Sequence, residues 1–275
     1  MPGVGRVDAR QVAEFLFLLL AGAVAGALNA AGGGGTFVAL PALVATGLSP
    51  VTANAAATVA LVPGALVSAW VYRREVLPIG TTSTKALLTA SVLGGGAGAA
   101  LLLTLPSESF DAAVPWLLAF ATIVLAFGRP LSAKLSALRQ RRATAGSGSV
   151  PSAAIIGTRT ILIGQFILAI YGGYFGGAVG ILMLAFWSIG LGLDTATSNP
   201  MRIVQLGAVY LTATLLFLVA SDVLAEPLPL AAMLVGALAG GYGGAHLVRR
   251  LPPGVLRTVV LTTAVVMTVL YFLRG

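Results

Sequence analysis

Apolar stretches long enough to cross a lipid bilayer recur along the whole chain and constrain its fold more than any other feature. They lie at about 12–31, 51–72, 85–105, 113–131, 157–176, 197–220, 228–248 and 255–273. A helix needs ~20 residues to cross a bilayer. The stretches are rich in Leu, Ala and Val and lack the alternation that marks the strands of a membrane barrel. The sequence therefore predicts an all-α polytopic membrane protein.

The composition agrees with this class and excludes others. Charged residues make up 9% of the chain and hydrophobic residues 58%, whereas a soluble domain carries roughly 25% charged residues. The net charge is +8, but the positive side chains lie almost entirely between apolar stretches, as in membrane proteins, so we expect no nucleic-acid partner. The chain has no Cys and one His, which argues against a thiol enzyme or a metalloenzyme. We expect no cofactor and no metal site.

The two halves of the chain match each other, which indicates an internal repeat. At an offset of 145 residues the matched positions are Gly32, Gly35, Gly47, Leu48, Thr52 and Asn54 with Gly177, Gly180, Gly192, Leu193, Thr197 and Asn199. At an offset of 146 they are Gly94, Gly95, Gly98, Ala99, Leu105 and Pro106 with Gly240, Gly241, Gly244, Ala245, Leu251 and Pro252. The stretch 12–31 pairs with the internal stretch 157–176, so we expect it to belong to the fold and not to a cleaved signal peptide.

This repeat predicts the domain organisation. We expect a first membrane repeat over 1–131, a basic cytoplasmic linker over 132–156 and a second membrane repeat over 157–275. The linker contains several Lys and Arg residues followed by the run TAGSGSVPS, a composition typical of a flexible connection.

The loop charges predict how the units lie in the membrane. Each unit has about five helical segments: a long one, a glycine break, a short one at 36–47 or 181–192, and three more spans. The short segment 36–47 is ~18 Å long as a helix, so whether it spans a ~30 Å core or re-enters is left open. In both cases each unit crosses an odd net number of times, which makes the second unit inverted. Most of the 16 Lys and Arg residues then share one face, the cytoplasmic one, and both termini are periplasmic.

Two glycine-rich breaks mark the predicted binding site. They are NAAGGGGTF from Asn29 and YGGYFGGAVG from Tyr171, and broken helices in matching positions of inverted repeats indicate a site near the membrane midplane. A short helix that restarts at Thr36 or Ile181 directs the positive end of its dipole into the break, which favours an anion. The alternative is that these glycines only permit close helix packing, the interpretation favoured for Gly94 to Gly98 and Gly240 to Gly244.

Polar residues near the breaks complete the candidate site. Arg202 is the strongest candidate because an arginine inside a span is costly unless it meets a cavity or a partner, and its guanidinium suits an oxyanion. The alternatives are a salt bridge to Asp194 or snorkelling to the cytoplasmic face. Asn54 and Asn199 contact substrate or else cap their helices. The predicted substrate-binding residues are Asn29, Gly33, Gly34, Gly35, Thr36, Asn54, Tyr174, Gly177, Gly180, Asn199 and Arg202.

Four segments carry a resemblance to a known family. NAAGGGGTF with the following Pro41, GLSPVTANAAATVALVPGA from Gly47, YGGYFGGAVGILML and GLGLDTATSNPMR resemble the TauE/SafE sulfite exporter family of membrane transporters. The resemblance covers nearly the whole chain in span order, although only these segments are specific. It implies transport of sulfite, sulfoacetate or a related sulfur-containing anion, often outward. Ala56 and Ala57 stand where many relatives carry hydroxyl residues.

These features favour a secondary transporter of the bacterial inner membrane, with a passive anion channel and a membrane enzyme as alternatives. The chain has no GxxxxGK[ST] motif, so we expect no ATPase activity of its own. An enzyme would need a nucleophile beside a base, which the residue content disfavours. If transport is coupled to protons, Asp194 is the first candidate, because it leads into the span of Asn199. The expected partners are a small sulfur-containing anion and the lipid bilayer, and a homodimer is left open.

Overall fold

The computed structural model describes residues 9–32, 34–145, 157–191, 193, 195–248 and 253–274, and these form helices with no strand. The α-helices are α1 (Ala9–Gly32), α2 (Thr36–Ala45), α3 (Pro50–Tyr72), α4 (Thr84–Thr104), α5 (Ser107–Ala145), α6 (Thr158–Tyr174), α7 (Val179–Leu191), α8 (Thr195–Ala220), α9 (Pro227–Val248) and α10 (Pro253–Arg274). A 3-10 turn, Asp222–Leu224, joins α8 to α9. Within the described residues, each half of the chain supplies five α-helices, as predicted.

Five of the described helices are long and apolar enough to cross a membrane. They are α1, α3, α4, α5 as far as Gly128, and α8 from Thr197. Large apolar side chains such as Trp70, Trp116 and Val219 lie exposed on the outside of the bundle. Water would disfavour such a surface, whereas lipid accepts it. The all-α polytopic prediction is confirmed.

The main helix contacts come in matched sets when the two halves are exchanged. In the repeat, α1 corresponds to α6, α3 to α8 and α4 to α9. Helix α1 packs on α9, and correspondingly α6 packs on α4. Helix α3 packs on α9, and correspondingly α8 packs on α4. Equivalent helices also meet, since α3 packs on α8 and α5 on α10. On the second of these contacts the equivalent residues Thr122 and Thr268 share a hydrogen bond of 3.1 Å between their hydroxyls. This is the packing expected of an internal repeat, and the inverted orientation of its units stays a prediction.

Glycines bring the paired helices into backbone contact. A methyl group at Gly94 or Gly98 of α4 would lie 2.6 Å from Phe166 O or 2.1 Å from Ile170 O of α6. A methyl group at Gly240 of α9 would lie 1.8 Å from Ala23 O of α1. Small residues allow such close approach between membrane helices. The packing interpretation is confirmed at these three glycines, and the surroundings of Gly244 lie outside the described residues.

The predicted linker is helical in the part that the structure describes. Helix α5 continues past the membrane-length segment to Ala145, so 132–145 is not a flexible connection. Between Pro130 and Gly146 the chain contains neither Gly nor Pro and is rich in Ala, Leu, Lys and Arg, all strong helix formers. The remainder of the linker, 146–156, lies outside the described residues.

A buried polar network joins α4, α6 and α8, and sequence reasoning missed it. Gln165 donates to the Ser91 hydroxyl at 2.8 Å, and Ser91 donates to Gln205 Oε1 at 2.8 Å. The amides of Gln165 and Gln205 also donate to the sulfurs of Met183 and Met201. All three polar side chains are fully buried. Interhelical hydrogen bonds of this kind hold membrane helices together.

Candidate functional site

The two glycine breaks lie against each other in the interior of the bundle. Gly34, in the first break, has φ +144°, and Gly176, in the second, has φ +80°. Glycine reaches this half of backbone space without a steric penalty, so it permits the turn between α1 and α2 and the turn between α6 and α7. A methyl group at Gly176 would lie 3.6 Å from the Thr36 hydroxyl oxygen, at the start of α2. The breaks of the two halves are therefore in contact with each other.

Arg202 of α8 lies against the first turn of α7. A methyl group at Gly180 would lie 2.7 Å from Arg202 Nη1, so the guanidinium lies alongside the α7 backbone there. Arg202 Nε donates to Asn199 Oδ1 at 2.9 Å, and the arginine is only 6% exposed, so the protein covers its side chain. The guanidinium and the positive end of the α7 dipole favour negative charge at the same place.

Asn54 and Asn199 do not cap their helices. Helix α3 begins at Pro50 and is capped by Ser49, whose hydroxyl accepts from the Thr52 backbone N–H at 3.2 Å. Helix α8 begins at Thr195, which places Asn199 inside its first turns. The capping alternative is therefore wrong for both asparagines. The Asn54 amide instead donates to Tyr174 O at 2.9 Å, where α6 ends.

Tyr210 of α8 links the two breaks and was missed by sequence reasoning. Its hydroxyl donates to Gly176 O at 2.9 Å, and the residue is only 3% exposed. The Thr36 hydroxyl of the first break lies close to the same glycine, 3.6 Å from where a methyl group at Gly176 would be. The sequence does contain a signal for this residue, a tyrosine two turns after Arg202 in an apolar span. A buried phenol needs a hydrogen-bond partner, so such a tyrosine indicates a polar contact inside the bundle.

The remaining predicted residues mostly shape the breaks. Gly35 lies against α1, where a methyl group would be 2.5 Å from Ala25 O and 3.2 Å from Asn29 Cβ. Asn29 is therefore placed beside the first break, partly buried. Thr36 is buried at the first residue of α2, the predicted restart, whereas α7 begins at Val179, two residues before the predicted Ile181.

In the second break, the predicted residues contribute backbone more than side chains. Tyr174 offers its carbonyl to Asn54, and its ring packs edge-on against Phe110 at a centroid distance of 5.5 Å. Gly177 is buried, and a methyl group there would lie 2.5 Å from the Phe175 ring. Gly33 and Asp194 lie outside the described residues. The salt-bridge and proton-coupling hypotheses depend on Asp194 and therefore stay predictions.

The site residues all fall within one family match. The model of the family described as Sulfite exporter TauE/SafE matches residues 18–271. The chain belongs to this family. The resemblance drawn from the glycine breaks is thereby confirmed over nearly the whole chain, and this TauE/SafE protein is a multi-pass membrane protein of a transporter family. No curated protein and no solved structure matches the chain.

Tyr210→Phe tests the link between the breaks. We expect it to lower the free energy of unfolding by about 1–3 kcal/mol, because Gly176 O would stay buried without its donor. Tyr171→Phe is the matched control, since no described residue forms a hydrogen bond with the buried Tyr171 hydroxyl. Denaturant unfolding of the purified protein in detergent measures both variants. Equal stability of the two would show that the Tyr210 contact contributes nothing.

Proposed function

We propose that this TauE/SafE protein is a secondary transporter that exports sulfite or a small organosulfonate across the inner membrane. The anion binds beside the Arg202 guanidinium, at the place where this group lies against the first turn of α7. The observation that carries the proposal is the position of Arg202 Nη1, 2.7 Å from where a methyl group at Gly180 would lie. The export direction and the sulfur-containing cargo are supported by the description of the family.

Electrostatics support an anion as cargo. A charged side chain inside the membrane is costly, and such residues mark substrate or ion pathways. The guanidinium offers a planar fork of donors that fits two oxygens of a sulfite or sulfonate group. The α7 dipole adds positive potential within the first turn, where it is strongest. Glycine at position 180 keeps the helix backbone within reach of both the arginine and the anion.

The arrangement of the breaks supports a carrier mechanism. In transporters built from inverted repeats, one unit moves against the other around a central site formed by broken helices. Here both breaks line one site, with α2 supplied by the first half and α6, α7 and α8 by the second. A relative movement of the halves would open the site to one side and then to the other. Counterflow of labelled sulfite in proteoliposomes distinguishes this carrier from a passive channel, because only a carrier exchanges.

Arg202→Ala tests the proposed site. We expect a rise in the Kd for sulfite of roughly ten- to a hundredfold, because a charged hydrogen bond contributes about 1.5–3 kcal/mol. Arg202→Lys should give a smaller rise, since it keeps the charge but loses the paired geometry. Binding is measured by calorimetry on monodisperse protein.

Arg73→Ala is the control for this experiment. The Arg73 guanidinium lies 3.5 Å from the centroid of the Trp70 ring at the exposed end of α3, so its loss should leave sulfite affinity unchanged. Parental affinity in Arg202→Ala, together with loss of folded protein in Asp194→Ala, would make the arginine a structural partner of Asp194. The proposed anion site would then be wrong.

A further inference from the structure

The side-chain oxygen of Asn54 is buried beside the second break, and no described residue donates a hydrogen bond to it. Asn54 is 1% exposed, and its enclosed Oδ1 meets no donor in the part of the chain that the structure describes. The assignment of the two amide atoms follows from the network, because Tyr174 O accepts a hydrogen bond at 2.9 Å and only Nδ2 can donate it. The unpaired atom is therefore an acceptor.

Asn54 of α3 and Arg202 of α8 both contact the second break. Asn54 holds the carbonyl of Tyr174, the last residue of α6, and Arg202 lies against Gly180 in the first turn of α7. The turn that contains Gly176, with φ +80°, lies between these two points of contact. The Arg202 donors thus meet the second break at Gly180, and the Asn54 side chain that carries the acceptor meets it at Tyr174.

We infer that Asn54 Oδ1 accepts a hydrogen bond from the transported anion, so that the substrate is an anion carrying its own donor. An oxyanion without a proton would place a negative oxygen against the negative end of the Asn54 carbonyl dipole. An unsatisfied buried acceptor is costly, and a ligand donor removes that cost. Hydrogen sulfite and hydroxy- or aminoalkanesulfonates have this chemistry, whereas the sulfite dianion does not. The inference rests on the proposed anion site and specifies its substrate.

A matched pair of ligands tests the inference. Ethanesulfonate and 2-hydroxyethanesulfonate carry the same anionic group and differ in one hydroxyl. We expect the hydroxylated ligand to bind wild-type protein about five- to tenfold more tightly, because one added hydrogen bond raises affinity by about this factor. Calorimetry on protein in detergent micelles measures both Kd values. Equal affinities would overturn the inference, and this arm needs no variant.

Variants then assign the preference to Asn54. Asn54→Leu should bring the ratio of the two Kd values close to one. Thr58→Val is the matched control, because the Thr58 hydroxyl donates only to the Asn54 backbone carbonyl at 3.0 Å on the same helix. It should keep the wild-type ratio. A preference that survives Asn54→Leu would place the acceptor elsewhere and contradict the inference.

Sulfite itself gives an independent arm. If the protein binds sulfite but neither alkanesulfonate, the donor must be the proton of hydrogen sulfite, and affinity should fall as pH rises through the pKa of that ion. An affinity that does not fall would overturn the inference. The two proposals fail differently: absence of binding by all three anions would refute the anion site, whereas Arg202-dependent binding without donor preference would refute only the role of Asn54.

Discussion

Gly240→Ala should destabilise the folded protein by about 3 kcal/mol, the upper end of the range for overpacked interiors. The added methyl group would lie 1.8 Å from Ala23 O, with Ala23 C and Cα at 2.4 and 2.5 Å. These are backbone atoms of α1, so no side-chain rotation relieves the clash and the two helices must separate. Because α1 packs on α9 along much of its length, we expect a lower unfolding temperature and a smaller yield of monodisperse protein.

Gly243→Ala is the control for this prediction. Gly243 lies three residues further along α9, and a methyl group there would meet no atom of the described residues within 4 Å. Alanine is favoured over glycine in a helix by about 0.8–1.0 kcal/mol, so stability should be unchanged or slightly higher. Thermal unfolding of both variants in the same detergent gives the comparison. If Gly240→Ala unfolds at the parental temperature, the close contact of α1 with α9 is wrong.

Ala178→Val should destabilise the protein by roughly 2–3 kcal/mol. Ala178 follows Gly177 in the second break with φ +58°, and its side chain is buried. The left-handed region costs roughly 1–2 kcal/mol per residue for L-amino acids, and a β-branched side chain there is an outlier. Denaturant unfolding measures the loss. Valine must also find room in a packed interior, which adds to the strain.

Ala178→Gly is the opposite test of the same conformation. Glycine adopts this backbone conformation without strain, which should offset its greater entropy in the unfolded chain. Stability should therefore be retained or rise by up to about 1 kcal/mol. A clear loss on Ala178→Gly, or none on Ala178→Val, would show that residue 178 does not hold a left-handed conformation.

The positions of helices and breaks could be predicted because local properties of the chain determine them. Apolar length and residue type identified the spans, and the repeated glycines identified both breaks, including the restart of α2 at Thr36. Helix formation in lipid depends on hydrogen bonds between residues four apart, so a short window of sequence is sufficient. The same windows carried the family resemblance. The helical extension of α5 was missed because charge was taken as the mark of a loop, although Lys and Arg are good helix formers.

The pairing of residues within the site was decided by tertiary structure. Asn54 and Tyr174 lie 120 residues apart, and Ser91 and Gln205 lie 114 residues apart, so no local pattern relates them. Arg202 could be singled out because a charge in an apolar span is conspicuous by itself. Tyr210 carried a weaker signal, a phenol in an apolar span, and only the fold shows that its hydroxyl meets Gly176 O. The sequence alone determined the class of fold, the breaks and the family, whereas helix packing decided which side chains meet there, since contacts between distant segments depend on how whole helix faces fit together.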